Sequence, residues 1–125
     1  MEKQDYTRKE PEPPLAIKEW GWTYHHMGIP TTRKIKGERY LSHLKFYVCG
    51  FDHSPFGVEW MRFDADSPVH ELIKTVPHIA FRVDDLEFEL KRHDFNIITW
   101  PTAPSDGVRV AMIEHNGAPV ELIEF

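Results

Sequence analysis

Cysteine is almost absent. Cys49 stands alone among 125 residues, so an internal disulfide and a multi-cysteine metal site are both excluded. No apolar run is long enough to span a bilayer. Positive charge is scarce, with 15 Lys and Arg against 20 Asp and Glu and a formal net charge of −5. A nucleic-acid partner usually meets a basic face, so none is expected. The opening MEKQDYTRKEPEPP lacks the apolar segment of a secretory signal. These absences together imply a cytoplasmic protein without a membrane partner. The composition that remains, 41% hydrophobic and 13% aromatic, is that of a globular chain able to bury a core in one domain.

Along the chain, residues 1–20 begin polar and proline-rich and read as a flexible tail or an arm lying on a neighbour. Residues 19–30, rich in aromatics and ended by Pro30, read as a first strand. Residues 31–43 leave a loop, a short strand near 38–42 and a helical turn open. Alternation marks strands at 44–51 and 58–63, and a connector with a helical turn follows Pro68. Residues 77–83 read as a strand. DDLEFELKRHDF is the best helix, with Asp84 as cap and Glu87 completing a capping-box-like pair. Short strands follow at 96–101 and 107–113, then a hairpin turn on Asn116-Gly117 and a last strand over 120–125.

Two stretches are nearly the same strand written twice: GVEWMRF at 57–63 and PVELIEF at 119–125. A second echo links HHMGIP at 25–30 with PHIAFRV at 77–83. Each half thus opens on a His-bearing strand and closes on a Glu-bearing strand, in the order His26, Glu59, His78, Glu121. The interval is shorter in the first half, as if a helix were missing there. On a strand Glu59 shares a face with Met61 and Phe63, and Glu121 with Ile123 and Phe125. If those faces look into a cavity, two carboxylates sit in poor solvent, where each must pair, protonate or bind a cation. Two carboxylates and two neutral imidazoles around a divalent ion give a nearly neutral site, suited to Zn, Ni, Co, Mn or Fe.

HMGI (26–29), VEWMRF (58–63), HIAFRVDDLE (78–87) and NGAPVELIEF (116–125) resemble the vicinal oxygen chelate superfamily, which includes glyoxalase I, methylmalonyl-CoA epimerase, extradiol dioxygenases and bleomycin-resistance proteins. The resemblance implies an α+β fold in which two βαβββ modules curl into a half-open barrel around a divalent metal ion. Here the modules fall at about 21–66 and 76–125 of a single domain over 21–125, the first with its helix degenerate or missing. Carried over, the metal ligands are His26, Glu59, His78 and Glu121. Glu121 and Glu59 are the candidate catalytic carboxylates for taking a proton beside a carbonyl, and epimerases often carry Gln at the Glu59 position. The implied function is a divalent-metal-dependent lyase or isomerase of the glyoxalase or epimerase type, acting on a small oxygen-chelating molecule. The alternatives are a non-catalytic binding protein of the bleomycin-resistance type and an Fe(II) ring-cleaving dioxygenase using two His and one carboxylate. Small size, exposed sheet edges and an arm needing a surface point to a homodimer.

Alternation turns His25 away from His26, in a structural role. His43, His53, His70, His93 and His115 read as solvated. Arg82 shares parity with His78, but it and Arg109 read first as surface residues. Trp22, Trp60 and Trp100 fit a core, an interface or a pocket wall.

Overall fold

The computed structural model describes residues 7–125. The part of the expected arm that falls on residues 1–6 lies outside them. Eight strands make one mixed sheet that curls as a half-barrel: β1 Thr23–Pro30, β2 Arg39–Leu41, β3 Phe46–Cys49, β4 Val58–Phe63, β5 His78–Arg82, β6 Asn96–Ser105, β7 Val108–His115 and β8 Ala118–Glu124. Their order across the sheet is β2-β3-β4-β1-β5-β8-β7-β6. The two halves mirror each other about a seam where β1 and β5 pair antiparallel, and β4 and β8 each return parallel to the first strand of their module. This is the α+β architecture of two four-stranded modules that the strand echo anticipates.

Among the described residues helices are few and short: α1 Leu15–Lys18, α2 Glu71–Thr75 and α3 Leu86–Arg92. None is long and apolar enough to cross a membrane among the described residues. In the second module α3 links β5 to β6. Its cap is Asp85, one residue past the expected Asp84, and the Asp85 carboxylate accepts from the Phe88 amide at 3.0 Å. Glu87 is therefore inside the first turn and pairs with Arg109 instead of completing a capping box. The first module has no helix between β1 and β2; residues 31–38 cross in a loop. The segment 31–43 that the sequence leaves open thus resolves into that loop and the short edge strand β2.

Two apolar clusters lie on opposite faces. On the outer face of the second module Trp22, Phe81, Val83, Leu86, Ala111, Ile113 and Leu122 pack together. Ala16, Ile17 and Trp20, from the segment read as a tail, pack against this cluster. The inner face carries Phe46, Val48, Met61, Ile73 and Met112, with Ile73 supplied by α2. His70 caps α2, its Nδ1 accepting from the Leu72 amide at 3.0 Å.

Turn chemistry sets the register next to the site. Asn116 and Gly117 both have positive φ, 51° and 84°, the backbone of a two-residue type I′ hairpin whose twist suits the flanking strands. It pairs Met112 with Glu121 and Ala111 with Leu122. Strand β6 runs on through Pro101 and Pro104 to Ser105, beyond the expected 96–101. It is an edge strand with three register shifts, where proline is tolerated.

Candidate metal centre

Register alone gathers the four sequence candidates. Gly28 on β1 lies between Glu59 on β4 and His78 on β5. In the next row Ala80 on β5 lies between His26 on β1 and Glu121 on β8. Cross-strand partners share a face, as do residues two apart on one strand. His26, Glu59, His78 and Glu121 therefore all belong to the inner face, beside Met61 and Met112 of the inner cluster.

The middle of each row holds a small residue. At Gly28 this is a requirement, because a Cβ there would fall inside the imidazole of His78, against Cε1, Nε2 and Nδ1. Glycine lets the His78 ring lie flat over the neighbouring strand. His26 and His78 are nearly inaccessible, at 5% and 2% exposure, and their ring centroids are 5.5 Å apart. Glu121 bridges them: its Oε1 is 2.9 Å from His78 Nε2 and 3.3 Å from His26 Nε2. Ligand atoms of these three residues all lie within 4.8 Å of one another, and Glu59 stands outside that group.

Burial pushes the Glu121 carboxyl upward, but hydrogen bonds from His26 and His78 outweigh it and bring the group down to about 2. For His26 burial favours the neutral ring, yet the hydrogen bond and charge of Glu121, with the charge of Glu59, raise it overall. Glu59 is raised, first by burial and then against the two imidazoles by the Glu121 charge. A buried carboxylate thus sits between two imidazoles, a place that a cation would also suit.

The residues fit a divalent ion. Two imidazole Nε2 atoms and a carboxylate converge from three strands in a shielded, glycine-cradled place, with a second carboxylate on the same face. That is a borderline nitrogen and oxygen donor set. The two histidines differ in their other nitrogen. Nδ1 of His78 is buried without a hydrogen-bond partner. Nδ1 of His26 is 2.7 Å from Nδ1 of His25.

His25 is the residue that alternation misplaces. Pairing of β1 with β5 steps from Tyr24 opposite Phe81 directly to His26 opposite Ala80, so His25 is the extra residue of a bulge. Its ring stacks on Phe51 with centroids 4.9 Å apart and lies 5.4 Å from that of Phe125. The histidine doublet is the sole trace of this in the sequence. Arg82 is exposed, its guanidinium 5.5 Å from the Phe125 ring. Arg109 is held on the surface by Glu87 and Glu124. Their exposed neighbour Asp85 completes a second acidic group, already engaged with Arg109 and the first amides of α3. His93 is not solvated as expected: it stacks on Phe95, with ring centroids 4.7 Å apart, and sits 3.4 Å from the buried Glu89.

No family model matches the chain, and no curated protein sequence does either. Solved structures do. A hypothetical protein from Bacillus halodurans is similar with a TM-score of 0.64 at 20% identity, over 83% of this chain and 94% of that one. A methylmalonyl-CoA epimerase from Mycobacterium tuberculosis is similar with a TM-score of 0.57 at 18% identity, over 82% of this chain and 87% of that one. At such identities the likeness is one of fold, and the fold is the curled two-module sheet expected from the sequence.

Proposed function

We propose that this protein is a member of the vicinal oxygen chelate superfamily, acting as a divalent-metal-dependent lyase or isomerase of the glyoxalase or epimerase type. Its substrate is then a small molecule that presents two neighbouring oxygens. The observation that carries the reading is the convergence of His26, His78 and Glu121 on one buried point, with Glu59 on the same face. The fold likeness to an epimerase supports it. His26, Glu59, His78 and Glu121 would hold the ion, one of Zn, Ni, Co, Mn or Fe. When bound, the ion supplies Lewis acidity to a carbonyl oxygen and so acidifies the neighbouring C–H.

The chain supplies the proton chemistry. Glu59 on β4 and Glu121 on β8 flank the two seam strands that carry the histidines. Two carboxylates on opposite sides suit a reaction that removes a proton from one face of a carbon and returns it to the same or the other face. Glu121 must loosen from its imidazole partners to accept a proton; Glu59 has no such clamp. The test is to load the purified protein with Ni, Co, Mn or Zn and offer hemithioacetals and epimerisable acyl thioesters in deuterated water. Metal-dependent α-proton exchange read by NMR supports the proposal. Full metal occupancy without exchange on any of these removes it and leaves a binding module or an oxygenase.

One observation favours a second reading. The tight group is two histidines and one carboxylate, the ligand set of non-haem Fe(II) oxygenases. On that reading Glu59→Gln leaves iron binding intact, and catechol-type substrates consume oxygen. We further propose a homodimer, on the ground that the outer face of the first module is left bare.

A further inference from the structure

The bulge in β1 brings two histidine rings edge to edge beside the candidate centre. His25 Nδ1 and His26 Nδ1 are 2.7 Å apart, so one of the two nitrogens carries a proton and the other accepts it. The opposite nitrogen of His26, Nε2, faces Glu121 Oε1. We propose that His25 is a positioning residue: its Nδ1 lone pair accepts from His26 Nδ1–H and fixes the tautomer in which His26 Nε2 is the ligand atom. The proposal rests on the metal reading above for its purpose, but not for its geometry.

The alternative proton placement defeats the site. If His25 donated to His26, a neutral His26 would have its lone pair at Nδ1 and its proton at Nε2, aimed into the centre. With His25 as acceptor, the Nδ1 proton stays in place whether Nε2 holds a proton toward Glu121 or a cation. Binding then needs the loss of one proton and no ring flip. Ligating imidazoles elsewhere are oriented by an outer partner on their second nitrogen; here a neighbouring imidazole would fill that part. Two contacts hold His25 in this pose, the stacked Phe51 ring and the tilted Phe125 ring. The second module has no counterpart, since Phe81 and Ala80 continue β5 without a bulge and His78 Nδ1 has no partner.

The experiment uses the full chain without metal, with ¹⁵N NMR of the histidine side chains at a pH of about 8, above the ordinary imidazole range. Wild type is expected to show His26 protonated at Nδ1. His25→Phe, which keeps a ring against Phe51 but removes the acceptor, is expected to move His26 toward the Nε2-protonated form. It is also expected to weaken Zn(II) or Co(II) binding in competition titrations by about 10- to 100-fold. His25→Gln, whose amide oxygen can accept, is expected to restore both readouts. A wild-type His26 protonated at Nε2, or an unchanged tautomer in a folded His25→Phe, overturns the proposal. A tautomer shift with equal metal affinity in the two proteins overturns it as well. If wild type binds neither ion, the metal reading falls and the tautomer comparison alone decides the placement of His25.

Discussion

The two modules share an inner face and differ in the outer one. In the second, α3 and the segment around α1 cover the outer surface of β5, β8 and β7, and the cluster beneath them is closed to solvent. In the first, no helix crosses, and Met27 and Trp60 remain 36% and 38% exposed on the corresponding surface. Arg62 spreads over the Tyr47 ring there and pairs with Glu38, a polar patch where the other module has a core. Yet each module turns its histidine and its glutamate to the inner face. Placement of these four residues therefore depends on strand register and not on the covering helix. A module can lose its outer layer and keep its inner face.

The sharpest way to break this comparison is to remove packing from the covered module. Leu86, the first residue of α3, is fully buried in the outer cluster. Leu86→Ala should cost about 2–5 kcal/mol of unfolding free energy, the range for cavities in closed cores. Urea melts measure it. A loss under about 1 kcal/mol would mean that the outer cluster contributes little and that the seam alone holds the sheet.

The next effect lies at the centre. Glu121→Gln should lower metal-dependent α-proton exchange by about 100-fold or more, within the range for removing a positioned acid or base, while occupancy falls less, because an amide oxygen still coordinates. Glu59→Gln should do less to both. Exchange kinetics with metal analysis on the same samples check this. The reverse order would move the principal base to the first module.

The repeat made this much of the site legible: period-two parity on four short strands, with matching echoes, is enough to put four side chains on one face. What parity does not convey is distance and irregularity. Glu59 lies in the same face but outside the tight group. His25 reaches His26 because a bulge adds one residue, and nothing in the apolar alternation marks where a ladder slips. The helix cap falls at Asp85 and not at Asp84, because adjacent aspartates are equal candidates in the sequence pattern. His93 is drawn inward by Trp20 and Trp22, contacts made across more than 70 residues of chain that no local pattern reveals.

The equivalent positions Gly28 and Ala80 allow a finer test. Gly28→Ala drives a methyl group into the His78 ring. It should cost about 1–3 kcal/mol, as overpacking does, and should weaken Zn(II) binding because the ring must move. Ala80→Gly, on the other strand of the seam, should cost about 0.5–1 kcal/mol through backbone freedom and leave binding nearly unchanged. Thermal melts and competition titrations on the pair separate the effects. Equal zinc affinities in the two variants would show that the glycine serves the backbone and not the histidine.

The smallest effect on the single chain is expected on the bare face. Trp60 extends from β4 beside Met27 and Ile29, next to the place where the other module carries its helix. In an isolated chain Trp60→Glu removes a partly exposed ring, and its stability change should stay within about 0.5 kcal/mol, as for most surface substitutions. If a second copy supplies the missing cover, the same glutamate is forced into a buried apolar contact, where an unpaired charge is strongly disfavoured. The variant should then sediment as a monomer while wild type sediments as a dimer at the same concentration. Phe88→Glu on the solvent side of α3 is the matched control and should leave the dimer intact. A wild-type monomer at high concentration, or a dimer that Trp60→Glu leaves undisturbed, would mean that the first module's outer face is simply solvated and that its partner lies elsewhere or is not needed.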